Sequence, residues 1–245
     1  SIRAMSRPLR GRFVRSLLVC VAPLLLVPGF LAACSKDDTA AEAPSENLPD
    51  GATLLNESAA AMAEVETAHI VLDIDPPVGN LPISRAEGDL KRGGDAKGTI
   101  QLLANTQLLE VEFVVMGDDA WVKYPTGGWT TAGAITNIYD PSAILDPQRG
   151  VANLLSTASN ARTEGAERVN GVSAWRITAD IDQKAANMLV PGVPAGLTGT
   201  VWVDQESKRM VKAVVNVPES GNNPASTITF DMTDFNAAVD VSAPV

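Results

Sequence analysis

The chain is poor in the residues that usually carry chemistry. Among its 245 residues there is one histidine, His69, and there are two cysteines, Cys20 and Cys34, both near the N-terminus. The stretch beyond residue 34 therefore has no disulfide and no thiolate metal site. A single imidazole cannot build a His-rich metal centre, and no Ser–His context for a nucleophile surrounds it. The Gly-x-Ser-x-Gly elbow, the Walker loop, the dinucleotide glycine pattern and His-Glu-x-x-His are all missing. Aromatic residues make up only 4%, few for a protein that stacks sugars or bases. Basic residues are also scarce in the body. Beyond residue 34 there are 14 Lys and Arg against 29 Asp and Glu, a net charge of −15. That balance excludes nucleic acid, which demands concentrated positive charge, and disfavours adsorption to anionic lipid headgroups.

What is present is organised. Residues 1–34 carry five arginines and no acid. A 17-residue apolar stretch, Leu17–Ala33, follows the basic start, and Pro23 and Pro28 interrupt it. Such a segment is at the short edge of a membrane span. It ends in Leu31-Ala32-Ala33-Cys34, the pattern of a bacterial lipobox. Residues 1–33 are thus expected to be a lipoprotein signal peptide, with Cys34 the lipidated residue. Residues 34–50, rich in Asp, Glu, Ala, Pro and Ser, are expected to be a flexible tether with a reach of roughly 20 Å. Two acyl chains anchor a protein stably where one does not. The domain, 51–245, is expected on the outer face of a plasma membrane, in the cell-envelope space.

The body alternates short amphipathic strands with a few helices. Leu54, Leu55, Ser58, Met62 and Val65 share a helical face over 51–66. Strand patterns follow at 69–75, 83–92, 99–104, 107–116, 120–124 and 129–131, separated by Gly and Asp turns. Asp140-Pro141 and Asp146-Pro147 are helix-start signals, the second predicting a helix to about residue 159. Strands return at 161–169 and 172–181 around Asn170-Gly171, a hairpin signal. Asp182 caps a short helix to Leu189, and residues 191–196 form a loop. Strands at 200–204, 210–217 and 226–235 close the chain. The sum is one α+β domain of about ten antiparallel strands and three or four helices.

Other patterns have bland readings. Asp73 and Asp75 begin like a calcium loop, but Pro77 and Val78 stand where an oxygen ligand and a glycine are needed. Glu110 and Glu112 read as a solvated strand face rather than a glycosidase pair. Trp121, Trp129, Trp175 and Trp202 read as core or rim rather than a sugar platform. No catalytic residue, metal site or cofactor is expected.

From about Leu48 onward the chain resembles the mycobacterial LppX/LprA/LprF/LprG lipoprotein family, most in its LprG and LprA members. The resemblance rests on an ordered set of residues. It begins with Ala68-His69 and Glu87-Gly88-Asp89-Leu90, then Ile138-Tyr139-Asp140-Pro141 and Leu145-Asp146-Pro147. Gly150 to Leu155, Glu164-Gly165, Asn170-Gly171 and Thr200-Val201-Trp202-Val203 complete it. It implies an antiparallel β half-barrel with helices packed on its concave face around a large apolar cavity. It also implies a carrier of acylated, often triacylated, lipids or glycolipids, working beside a major-facilitator exporter. Exposing one ~16-carbon chain to water costs on the order of 12 kcal/mol, so such a carrier must offer an equally apolar lining. Given that resemblance, strand alternation and helix stripes nominate Ile100, Leu102, Val111, Phe113, Val115, Leu154 and Leu155. Ile70, Leu72, Met62 and Val65 are secondary candidates. A monomer is expected. The rival reading is a non-carrier envelope lipoprotein with a filled core, acting as scaffold or assembly partner of an exporter.

Overall fold

A computed structural model describes residues 48–78, 82–104, 107–132, 140–219 and 224–244. The lipobox with Cys34, the signal segment, most of the tether and the Ile138-Tyr139 pair lie outside them. Eleven strands form one antiparallel sheet. In chain order they are β1 (Thr67–Asp75), β2 (Ile83–Lys91), β3 (Ala96–Ala104), β4 (Gln107–Met116), β5 (Asp119–Lys123), β6 (Thr130–Thr131), β7 (Ser159–Val169), β8 (Val172–Ile181), β9 (Leu197–Asp204), β10 (Met210–Val217) and β11 (Ser226–Thr233). The helices are α1 (Gly51–Ala63), α2 (Ser142–Leu145), α3 (Val151–Thr157) and α4 (Gln183–Leu189).

The spatial order is β6-β5-β4-β3-β2-β1-β11-β10-β9-β8-β7. Two meanders of sequence neighbours are therefore joined by one non-local pairing, β1 with β11, from His69↔Thr233 to Asp75↔Thr227. The Asn170-Gly171 turn takes φ of 50° and 84°, the left-handed pair that a two-residue hairpin needs.

One face of the sheet is largely apolar. Ala68, Leu90, Ala96, Val115, Ala120, Ile177, Val203, Met210 and Met232 are buried in a single cluster with Leu54, Leu55 and Met62 of α1 and Leu155 of α3. That one cluster touches strands from β5 to β8. A flat sheet of this width cannot offer so many strands to two short helices, so it curls into a half-barrel with the helices in its concave side. Strands β2 and β3 approach closely where Gly88 and Gly98 are directly opposite. A β-carbon on Gly88 would meet the Lys97 carbonyl oxygen and lie 2.9 Å from Gly98 Cα. One on Gly98 would meet the Glu87 carbonyl oxygen and lie 2.7 Å from Gly88 Cα. Only glycine lets the backbones approach this closely.

Both ends of α1 are satisfied. The Asp50 side chain accepts from the Thr53 N–H at 2.8 Å. At the other end the Arg92 guanidinium donates to the carbonyls of Ala63 at 2.6 Å and Val65 at 2.7 Å, covering carbonyls that a helix terminus leaves free. Ser58, on the same face as the core leucines, is fully buried, and its hydroxyl has no hydrogen-bond partner among the described residues.

Each strand run read from the sequence has its counterpart among the eleven strands of the described residues. One expectation shifts. Asp146-Pro147 does not start a helix; the Asp146 carboxylate accepts from the N–H groups of Gln148 and Arg149 at 2.8 and 3.0 Å. That closes a turn, and α3 begins at Val151 after Gly150.

Gly88→Ala is expected to lower stability by about 2 kcal/mol or more, because backbone on the facing strand has to move. Ser58→Ala is expected to raise it by about 1 kcal/mol, since an unpaired buried hydroxyl is removed and alanine is the better helix former. Chemical denaturation of the two variants measures both effects.

Candidate functional site

The registers place the C-terminal ends of β1, β3, β8 and β10 and the N-terminal ends of β2, β4, β7, β9 and β11 at one end of the sheet. The connections β1–β2, β8–β9 and β10–β11 lie here, α4 in the second of them; at the other end tight turns join β2–β3, β4–β5, β7–β8 and β9–β10, with α2 beside the first. At this α4 end a second apolar cluster forms from Ile74, Val78, Ala186, Val193, Leu197, Val217 and Ile228.

Beneath α4 lies an apolar pocket of about 80 Å³. Its floor is Leu72 of β1, Met210, Ala213 and Val215 of β10, and Ile228 and Phe230 of β11. Val151 and Leu154 of α3 form one wall. Ala186 and Leu189 of α4, with Val190, Val193 and Leu197 after it, form the roof. The Asp182 side chain fixes where α4 begins by accepting from the Ala185 N–H at 2.8 Å. On its inner side α4 packs through Ala185 and Ala186, small residues that let it lie close to the strands. The expected large cavity is thus narrow here, well below the roughly 300 Å³ of an ordinary ligand pocket, because α3, α4 and the loop fill the concave side with aliphatic side chains.

The nominated lining residues divide. Leu72 and Leu154 line this pocket. Met62, Val65, Val115 and Leu155 are buried in the main cluster, with Ile70 and Phe113 packed against it. Ile100, Leu102 and Val111 share the concave side of β3 and β4, where Val111 is buried and the other two are half-buried. Ala213, Val215, Ile228 and Phe230 were not nominated, although their alternation in β10 and β11 was a usable signal. Val193 lies in the loop, where no periodicity exists to reveal it.

The convex face carries a second groove, of about 440 Å³, between His69, Glu87, Asp89, Lys97, Thr99, Glu112 and Trp129. Its carboxylates and His69 are engaged in pairs. The His69 Nδ1 and an Asp89 oxygen are 2.9 Å apart. Arg85 bridges Asp73 at 2.7 Å and Glu87 at 2.8 Å, and Lys123 holds Glu112 at 2.8 Å. The Glu110 carboxylate accepts from the Gln101 amide at 3.3 Å. These pairs read as cross-strand ladders of a solvated face. The Trp side chains do not form one platform: Trp175 packs on the main cluster, whereas the Trp202 indole N–H donates to Glu167 and Lys123 lies 5.8 Å from the Trp129 ring centre.

The profile of the LppX_LprAFG lipoprotein family matches residues 50–241. The chain belongs to the LppX_LprAFG lipoprotein family. It is 32% identical over 242 residues to the lipoarabinomannan carrier protein LprG of Mycolicibacterium smegmatis, covering 96% of this chain and 98% of that protein. The protein of the same name from Mycobacterium tuberculosis is 26% identical over 215 residues, covering 86% and 90%. The crystal structure of LprF from Mycobacterium bovis superposes with a TM-score of 0.67 at 21% identity, covering 79% of this chain and 96% of that one. The Mycobacterium tuberculosis lipoprotein LppX does so with 0.60 at 25% identity, covering 78% and 97%. The family shares this fold, an open antiparallel sheet wrapped on helices. Among the described residues, no helix is long and apolar enough to cross a membrane.

The convex pairs make a pH prediction. Arg85 holds the Glu87 carboxyl below its ordinary value. The stabilisation is present above that ordinary value and is lost as pH falls through the lowered one. Arg85→Ala should therefore cost stability at neutral pH, at most about 1 kcal/mol for so exposed a pair, and cost less at about pH 3. Thermal melts of wild type and variant at the two pH values check this.

Proposed function

We propose that this protein is a membrane-anchored lipid carrier. In this reading the acyl chains of a lipid or glycolipid enter between α3, α4 and the floor of β1, β10 and β11. The observation that carries it is a pocket whose lining is aliphatic and aromatic side chains alone, in a fold whose relatives are named lipoarabinomannan carriers. Loading requires α4 and the loop after it to swing outward, since about 80 Å³ is too little for one long acyl chain. Helix α4 has seven residues and buries mainly alanine methyls against the strands, so little apolar area holds it closed.

The remainder of the reading follows from the chain's N-terminal part. Cys34 carries the lipid anchor, and residues 1–33 are the export signal. The domain stands on the outer face of the plasma membrane and moves its cargo toward the outer envelope. A major-facilitator exporter is the proposed membrane partner. Binding and transfer need no bond making, and the protein is proposed to be a carrier rather than an enzyme.

The test is Ala213→Trp, at the pocket floor. Protein is purified from a lipid-producing mycobacterial host, and organic extracts are examined by mass spectrometry. Wild type is expected to yield acyl lipid; the variant is expected to lose it with a melting temperature within a few degrees. A filled core predicts instead an overpacking cost of about 1–3 kcal/mol and no lipid in either protein. Lipid-free wild-type extracts overturn the carrier reading.

A further inference from the structure

Two of the three large apolar side chains that are exposed among the described residues sit opposite each other. Leu103 of β3 and Leu108 of β4 are direct cross-strand partners, 39% and 63% exposed. On the next rung Leu102 faces Leu109, on the concave side, and both are half-buried. These two rungs, next to the last one of Ala104 opposite Gln107, are thus apolar on both faces. One rung further in, the convex side is already polar, with Gln101 beside Glu110. An antiparallel sheet in water normally keeps one face polar, and leucines exposed together call for a partner.

Their position says which partner. The Leu103–Leu108 rung lies at the α4 end, with the apolar pocket and the second cluster. The chain enters the domain beside β7, on the half of that strand nearer this end. The Pro49 carbonyl accepts from the Thr163 hydroxyl at 2.7 Å, and Gly51 lies against Ala161 and Arg162, near the start of β7. The 47 residues ahead of Leu48, with their apolar stretch and Cys34, are attached there. The opposite end is polar, with Asp95, Asp118, Asn170 and Glu206 in or beside its tight turns.

We infer that the Leu103–Leu108 rung of β3 and β4 is a membrane-contacting finger, and that these two leucines enter the interfacial layer of a phospholipid bilayer. The finger holds the pocket end against the leaflet from which cargo is taken, a purpose that rests on the carrier reading. With 29 acidic residues against 14 basic ones beyond residue 34, attraction to an anionic leaflet cannot supply the contact. It must come from burying apolar side chains, and it must be insensitive to salt.

The test uses residues 48–245, which contain the whole sheet and both core clusters. Matches to this domain span almost the full crystallised chains of LprF and LppX, so it folds as a unit. It has no cysteine, so Leu103→Cys, Leu108→Cys and, at the polar end, Glu206→Cys each accept one environment-sensitive fluorophore. Vesicles are of phosphatidylcholine with a minor share of phosphatidylglycerol, with and without brominated acyl chains. Labels at 103 and 108 are expected to shift to the blue and to be quenched by bromine, and the label at 206 to stay aqueous. Replacing both leucines by serine is expected to weaken vesicle partitioning at least about tenfold, at an unchanged melting temperature and independently of salt. Aqueous labels at 103 and 108, equal responses at all three positions, or binding abolished by salt each overturn the inference. Acyl lipid in extracts together with aqueous labels refutes the finger and leaves the carrier; penetrating labels with lipid-free extracts do the reverse.

Discussion

The pairing of β1 with β11 is the contact on which the architecture depends. Every other neighbouring pair in the sheet is made of consecutive strands, and each can form as a local meander. Neither meander has an interior of its own. Joined along His69–Asp75 and Thr227–Thr233, they become one sheet whose apolar side is continuous from β5 to β8. Long-range pairing of this kind closes a large loop before it is rewarded. The reward is the burial of Ile74, Met232 and Ile228 beside the seam, next to the place where the pocket forms.

The sheet must also bend, because α1 to α3 cannot cover a flat surface of eleven strands. Gly88 and Gly98 allow the bend by bringing β2 and β3 closer than any β-carbon permits. Once curled, the sheet has an inside lined by aliphatic side chains and an outside where charges meet across strands. This division separates roles. The inside, with Leu72, Ala213, Ile228 and Phe230, provides an apolar lining. The outside, with Asp73, Arg85, Glu87, His69 and Asp89, carries charges paired across strands.

The two ends of the sheet are as different as its two faces. Short polar turns close one end. The other holds α4, the second cluster and the Leu103–Leu108 rung. For the proposed carrier role this polarity matters: a cargo would leave one apolar environment as it enters another, without the full cost of hydrating its chains.

Much of this was legible beforehand because it is local. Period-two alternation in 107–116 assigned Val111 and Val115 to the buried side and Glu110 and Glu112 to water. Asn170-Gly171 announced its hairpin, and Asp182 announced α4, since those residues control φ or cap a terminus within a few positions. Asp146-Pro147 misled because the same Asp oxygen can cap a turn as well as a helix. The order of residues also carried the family, and with it the half-barrel. The pocket was not legible. Alternation says that Ile100, Leu72 and Phe113 point to one side; it does not say which of them a helix covers. That depends on the curl at Gly88 and Gly98 and on where α4 and its loop come to rest, so Leu72 reached the pocket with Ala213 and Val193 while Ile100 did not. The sequence by itself determined the strands, their faces, the polarity of each and the family. Only the tertiary structure decided which apolar side chains enclose a space, because enclosure is a property of segments far apart in the chain.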